Sequence, residues 1–442
     1  MPRPGREDPM KIRLALLANL LIFAVTAHAQ QVRYSDLGDV QLKSLIEDAL
    51  SRNPGVHRAF AEYRATLQRI PQVTTLPDPM VGVTQYARSP ETRVGPQNTM
   101  LSISQRFPWF GKLNDRGKVV AKEAAALEQM YEAEKSELVR RVKLAYFDLG
   151  YVDRAIQVVN DDLDLLRHFE TLAQARYSQG VGLQQAVVKL QAEITQDRNR
   201  LEMLSRQRTD AEAALNTLLD YPPQQPIARV ALPALPTTNV DYDRLYALGR
   251  ENRPEVKAAF FRIEKNEKSI HLARRDYWPD VTVGAGYVYV NGRQDPTGKE
   301  NPPPDNGKDV YSLSVGVNLP IYRRKYDAGV LEASERFLAA REGYRDLINS
   351  VEVSVRSIGF RIGTIQNQID LFENALLPQA DQALRSSESA YSTGTLGVLD
   401  LLDSERLLLD VRLGLAQLRS DYLKSLSEME RAIGFAFPGD TP

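Results

Sequence analysis

Two carboxylates, Asp400 and Asp403, stand three residues apart just beyond a Tyr391-Ser392-Thr393-Gly394 segment, so on a helix they share one side. Gathered with others around a narrow aperture, such a pair attracts cations. Taken alone, two solvated helix acids are the simpler reading. Other chemistry is scarce. Beyond the first 29 residues the histidines are His57, His168 and His271, far apart and without the spacing of a zinc motif. Cysteine is absent, which removes disulfides, thiolate metal sites, thiol catalysis and a lipid-modified amino-terminal cysteine together. No glycine-rich phosphate loop joins a strand to a helix: Gly284-Ala285-Gly286 lies inside an alternating segment, where close packing explains it. No nucleophile elbow appears. The residues therefore point to no enzyme, no resident metal and no cofactor.

The elements that position the acid pair are long. From Lys112 to Tyr177 there is no proline, so one helix would run roughly 100 Å at 1.5 Å per residue. Its heptads place Val142, Leu149, Ile156 and Leu163 on one seam position and Ala145, Val152, Val159 and Leu166 on the other. A return helix over Leu183 to Asp220 continues the seam through Leu190, Ile194, Leu201, Leu204 and Leu215, with Asp197 and Arg208 interrupting it. The later part of the chain repeats this pattern, with a long helix expected over Arg323 to Ser389 and a return over Leu396 to Ile433. Two antiparallel coiled-coil hairpins follow. The shorter helices expected over Gln41 to Ile70 and Tyr242 to Asp276 each make up, with their return helix, the length of one long helix, so two short helices stacked end to end can flank each long one.

The chain is written twice. Asn53-Pro54 answers Arg253-Pro254, Pro77-Asp78 with Gly82 answers Pro279-Asp280 with Gly284, and Ser102 to Pro108 answers Ser314 to Pro320. Tyr177-Ser178-Gln179-Gly180 answers Tyr391-Ser392-Thr393-Gly394. The expected organisation is a leader over 1–29, a first repeat over 30–220, a proline-rich linker over 221–240, a second repeat over 241–436 and a short tail over 437–442. Each repeat holds a helix, a strand pair (80–107 and 281–319) and a long helical hairpin (112–220 and 323–433). In the leader, Lys11 and Arg13 precede an apolar run from Leu14 to Val25 that ends in Ala27-His28-Ala29, the pattern of a secretory signal; Met1 and Met10 both remain open as starts.

Four segments alternate: Met80 to Ala87, Leu101 to Phe107, Val281 to Val290 and Tyr311 to Leu319. In the last, Tyr311, Leu313, Val315, Val317 and Leu319 face one way and Ser312, Ser314, Gly316 and Asn318 the other, as for a wall between lipid and water. Four strands cannot close a membrane barrel, which needs about eight or more, so copies must pool them. The connections Arg88 to Thr99 and Asn291 to Asp309 read as external loops, and Trp109, Tyr287, Tyr289 and Tyr311 suit an aromatic belt. With 56 basic against 57 acidic residues, nothing in the charge balance asks for nucleic acid.

A leader, duplicated strand pairs, and hairpins turning at Tyr177 to Gly182 and Tyr391 to Gly397 resemble, over essentially the whole mature chain, the TolC family of outer-membrane efflux proteins. The segment from Gln105 to Leu113, which reads Gln-Arg-Phe-Pro-Trp-Phe-Gly-Lys-Leu, is similar to the strand-to-helix junction of its CzcC-like heavy-metal subgroup. The resemblance implies a mainly α chain with a transmembrane β portion: a homotrimer whose four strands per protomer form a 12-stranded β-barrel in outer-membrane lipid and whose helices form a periplasmic tube. It implies a periplasmic adaptor and an inner-membrane RND pump as partners, and passive export, with heavy-metal cations as one cargo. Multidrug or type I protein secretion ducts share the fold, and a soluble periplasmic coiled-coil scaffold would share the heptads alone. It also gives the tips roles. Asp400 and Asp403 match the acids that ring the periplasmic mouth, Tyr391 the gate tyrosine, and Gly180, Val181, Gly182, Leu183, Gly394, Thr395, Leu396 and Gly397 the turns that meet the adaptor. The family's lock arginine is Leu396 here and its aspartate is Ala186, so a tip closed loosely or by apolar contacts is expected.

Overall fold

The computed structural model describes residues 34–437; the expected leader and the tail beyond 437 lie outside the described residues. The first repeat runs α1 (Val40–Arg52), α2 (Pro54–Thr74), β1 (Met80–Gln85), β2 (Glu91–Thr92), β3 (Gly95–Phe107), α3 (Lys112–Ser178) and α4 (Gln184–Leu218). The second runs α5 (Tyr242–Asn252), α6 (Pro254–Arg275), β4 (Val281–Val290), α7 (Pro296–Glu300), β5 (Val310–Val317), α8 (Arg323–Leu371), a π-helical turn Phe372–Leu376, α9 (Leu377–Thr393) and α10 (Val398–Ile433). No helix among the described residues is long and apolar enough to cross a membrane.

Heptad spacing accounts for the helical bundle. The 67 residues of α3 bury Val142, Leu149, Val152, Val159, Leu163 and Leu166 against α2, α4, α6 and α10, while α8 packs its buried Val351, Val355, Ile358, Ile362, Ile365 and Ile369 on α5, α6 and α10. At Asn53 proline and a cap explain the break. The single helix expected over Gln41 to Ile70 parts at Asn53, whose side chain accepts from the Gly55 and Val56 amides while Pro54 opens α2. The Asn53 Nδ2 also donates to the Leu218 carbonyl at 3.0 Å, fixing the end of α4 at that break.

The second long helix departs from expectation: it is not continuous over Arg323 to Ser389. Pro378 has no N–H and its ring would press on the carbonyl four residues back. The chain answers with one wider turn, in which the Leu377 amide donates to Phe372.

The linker is held against the helices. Asp153 of α3 accepts from the Val230 amide at 2.8 Å and from Arg208 Nε at 2.7 Å, and Arg208 also donates to the Ile227 carbonyl at 3.0 Å. Arg208, read as an interruption of the seam, is thus one of the residues that hold the linker in place.

The strands form one antiparallel sheet in the order β1-β3-β4-β5, with the two-residue β2 off that path on β3. β3 begins at Gly95, not at Leu101, because Gln97 and Thr99 pair with Val290 and Tyr289 of the other repeat; the loop expected over Arg88 to Thr99 is shorter by that length. Register aligns Val83, Leu101, Tyr287 and Tyr311 across the sheet, and Val81, Ile103, Ala285 and Leu313 beside them. The opposite face aligns Gly82, Ser102, Gly286 and Ser312. A Cβ on Gly286 would stand 2.6 Å from the Ser312 hydroxyl, which would have to turn away to admit a side chain there. Every residue of β5 is exposed, and β1 and β5 are free edges. Such a sheet is incomplete as it stands.

Candidate functional site

Where sheet meets tube, Asp280 gathers the two repeats. Its carboxylate accepts from Lys112 Nζ at 2.8 Å, Arg106 Nε at 3.2 Å and the Trp109 amide at 3.0 Å, and Lys112 also donates to the Trp278 carbonyl at 2.9 Å. Asp280 and Lys112 are both buried. Trp109 stacks on Trp278 with centroids 5.0 Å apart, so aromatic rings flank this end of the strands, as Tyr287 and Tyr311, 5.3 Å apart, flank the other. The segment singled out between Gln105 and Leu113 is therefore a joint.

At the far end of the tube the hairpins turn on Gly180 and Gly394, whose φ of +74° and +85° only glycine adopts without strain. The Val181 and Gly182 amides donate to the Arg176 carbonyl, and the Thr395 and Leu396 amides donate to that of Ala390. Val181 and Leu183 are 66% and 73% exposed, leaving apolar tips in solvent. Gly182 and Leu396 are half-buried and Thr395 and Gly397 exposed.

The structure brings Tyr391 and Arg176 together. Tyr391 is buried, and burial raises its phenol pKa, offset in part by the charge of Arg176. The Arg176 guanidinium lies 5.2 Å from the Tyr391 ring centroid and donates through Nη1 to the Tyr391 carbonyl. This contact ties the first hairpin to the second and was not expected. The signal that could have found it is the repeat itself: Arg176 answers Ala390, a charge with no counterpart in the other half. Ala186, at the position of the family's lock aspartate, is buried in apolar packing with Leu190 and Leu401. Arg176, at a different position from the family's lock arginine, thus makes this contact between the hairpins.

Asp400 and Asp403 are exposed on the first turns of α10, and Arg406 approaches Asp403 at 3.9 Å. Arg406 points mainly to Glu193 of α4, with Nε–Oε1 at 3.0 Å and Nη2–Oε2 at 2.6 Å. A further contact between the repeats brings His168 to 3.5 Å from Glu388.

A sheet that needs neighbours, joined to helices of about 100 Å, defines the protomer of a barrel-and-tube duct. The chain belongs to the outer membrane efflux protein family, whose model matches residues 45–220 and 245–435. It is 23% identical over 342 residues to the outer membrane protein TolC of Vibrio cholerae, spanning 76% of this chain and 75% of that one. It is 19% identical over 402 residues to the cobalt-zinc-cadmium resistance protein CzcC of Cupriavidus metallidurans, spanning 90% of each. Among solved structures, CusC superposes with a TM-score of 0.75 at 18% identity, over 90% of this chain and 93% of that one. The outer-membrane channel OprN does so at 0.74 and 19%, over 91% and 93%. This is an outer-membrane efflux channel with its helical portion in the periplasm.

Proposed function

We propose that three copies of this chain close a 12-stranded barrel and a continuous helical tube, and that the assembly is the passive exit duct of a tripartite system. The carrying observation is the four-stranded sheet with two free edges and an exposed face on every residue of β5. In this reading the energy comes from an inner-membrane RND pump, since the chain offers no nucleotide or redox machinery and no catalytic role. A periplasmic adaptor docks on the exposed tips around Val181, Leu183, Thr395 and Gly397. The Arg176–Tyr391 contact holds the mouth closed at rest, and Asp400 and Asp403 line it as a cation-attracting ring.

Because the chain has no cysteine, introduced pairs report cleanly. Cysteines on the two edges, Val83→Cys with Leu313→Cys and Val81→Cys with Leu313→Cys, should give cross-linked species that end at three copies in outer-membrane fractions. A chain that stays monomeric in the soluble periplasm would overturn the reading. For cargo, we propose heavy-metal cations, on the acid pair at the mouth and the resemblance of the Gln105 to Leu113 joint. A deletion strain challenged separately with metals and with drugs tests this; unchanged metal tolerance with lost drug tolerance would transfer the duct to a drug pump.

A further inference from the structure

About halfway along α3 from the buried Lys143 to the tip, three carboxylic acids from three helices meet inside the apolar core. Asp162 of α3, Asp197 of α4 and Glu405 of α10 are 4%, 2% and 1% exposed. Their sequence neighbours Leu163, Ile194 and Leu402 belong to one apolar cluster, and Val159, Leu204 and Leu409 to the next. Asp162 Oδ2, Asp197 Oδ2 and both oxygens of Glu405 are buried without a hydrogen-bond partner so long as all three are written as carboxylates.

Cations do not resolve this. Arg200 reaches Asp197 Oδ1 at 3.3 Å, but Arg406 turns to Glu193, the fourth acid facing the group, on α4. The charged side chains of α9 are engaged elsewhere, Arg385 with Asp381 and Glu388 with His168. Among the described residues no group of three or more histidines and acids has the spacing to hold a metal ion. Three ionised acids against one arginine would leave charge uncompensated in an apolar interior, which is strongly destabilising. A proton on one acid turns two repelling acceptors into a donor and an acceptor, a short charge-assisted hydrogen bond.

We propose that Asp162, Asp197 and Glu405 form a proton-loaded clasp that binds the first long helix to the return helices of both repeats, and that losing its protons loosens the tube above the tips. The groups titrate in the direction this requires. Burial first, then the facing Glu405 and Asp197 carboxyls, push the Asp162 pKa well above the ordinary carboxylate range. Burial also raises Asp197 and Glu405, while their hydrogen bond with Asp162 acts the other way. With folded values raised, the clasp is fully stabilising below the ordinary carboxylate pKa and its contribution is lost as pH rises through the raised values. Asp162 lies about 24 Å from the end of α3 at ~1.5 Å per residue, so the loosening falls near the mouth.

The test uses the full-length protein in detergent. Wild type should show an exchangeable infrared band of a protonated carboxyl at neutral pH, and a Tm that falls as pH is raised from about 6 to about 9. Asp162→Asn, whose amide donates without titrating, should lose the band and at least half of the Tm slope. Glu405→Gln provides the same comparison should Asp162→Asn fail to fold. A wild type without the band, or variants with the wild-type slope, would overturn the clasp. So would zinc or calcium at neutral pH raising the Tm of wild type but of neither variant, which would make the group a cation site.

Discussion

The two repeats are joined differently at the waist and at the tips of the same tube. At the waist, Lys143 of α3 donates to Glu430 of α10 at 2.6 Å, both buried. Glu430 also accepts from the Ser35 and Phe437 amides at 2.9 and 3.2 Å, so the two ends of the described residues meet there. Around it lies the largest apolar cluster, drawn from both repeats and the linker. At the tips, a half-buried arginine lies over a tyrosine beside a smaller apolar cluster that also draws on both repeats, with exposed pairs such as Arg406–Glu193 around it. A buried ion pair is costly to break because the surviving charge has nowhere to go, whereas a half-exposed contact returns its groups to water. The waist contact is therefore the costlier of the two to break. Between them stands the π turn, in the second hairpin only, with Phe372 set against Gly414, where an added Cβ would come within 2.9 Å of the ring.

The largest effect should come from the waist. Lys143→Met strands Glu430 and should cost about 3–5 kcal/mol, read as a fall in unfolding temperature, while Lys143→Met with Glu430→Leu should recover most of it. A single variant as stable as wild type would erase the contrast between the two ends. Next is the π turn. Deleting the exposed Asn374 restores an α-helical turn but drives Pro378 onto a carbonyl, at a cost of about 3 kcal/mol. Adding Pro378→Ala to the deletion should relieve that and leave a second hairpin as unbroken as the first. If the double change recovers nothing, the wide turn has a cause other than proline. The tip contact is smaller: Arg176→Ala should cost about 1 kcal/mol in stability yet raise the open probability of single channels in planar bilayers. Arg176→Lys should fall between, since an ammonium keeps the charge without the planar fork.

What the sequence made legible follows from what is local. Proline-free runs and heptads marked α3 to within one residue of its observed end at Ser178, and alternation marked β4 over its observed span of Val281–Val290. These signals sit in neighbouring residues. The start of β3 was not legible, because Gly-Pro-Gln-Asn reads as a turn until Val290 from the other repeat supplies its partner. For the same reason Asp197 looked like a flaw in a seam: its meaning depends on Asp162 and Glu405, which the fold brings from afar. Of the tip residues, the spacing of Asp400 and Asp403 was visible. The seat of Arg176 on Tyr391 was not, since nothing adjacent to either residue announces the other.

The smallest effect on stability should accompany a clear effect on permeation. Asp400 lies in the first turn of α10, where a helix N-terminus favours negative charge by a few tenths of a kcal/mol, and Asp403 is exposed beside Arg406. Replacing both with alanine should therefore shift the unfolding temperature little, within about ±0.5 kcal/mol for surface positions. If the acids only solvate a helix end, reversal potentials in a salt gradient will also stay put. If copies bring them around one opening, removing them will lower cation selectivity, and more strongly at low salt, because 0.1 M salt already screens charges beyond ~10 Å. The double variant thus separates a helix cap from a pore lining, and unaltered selectivity at low salt would assign both acids to the cap.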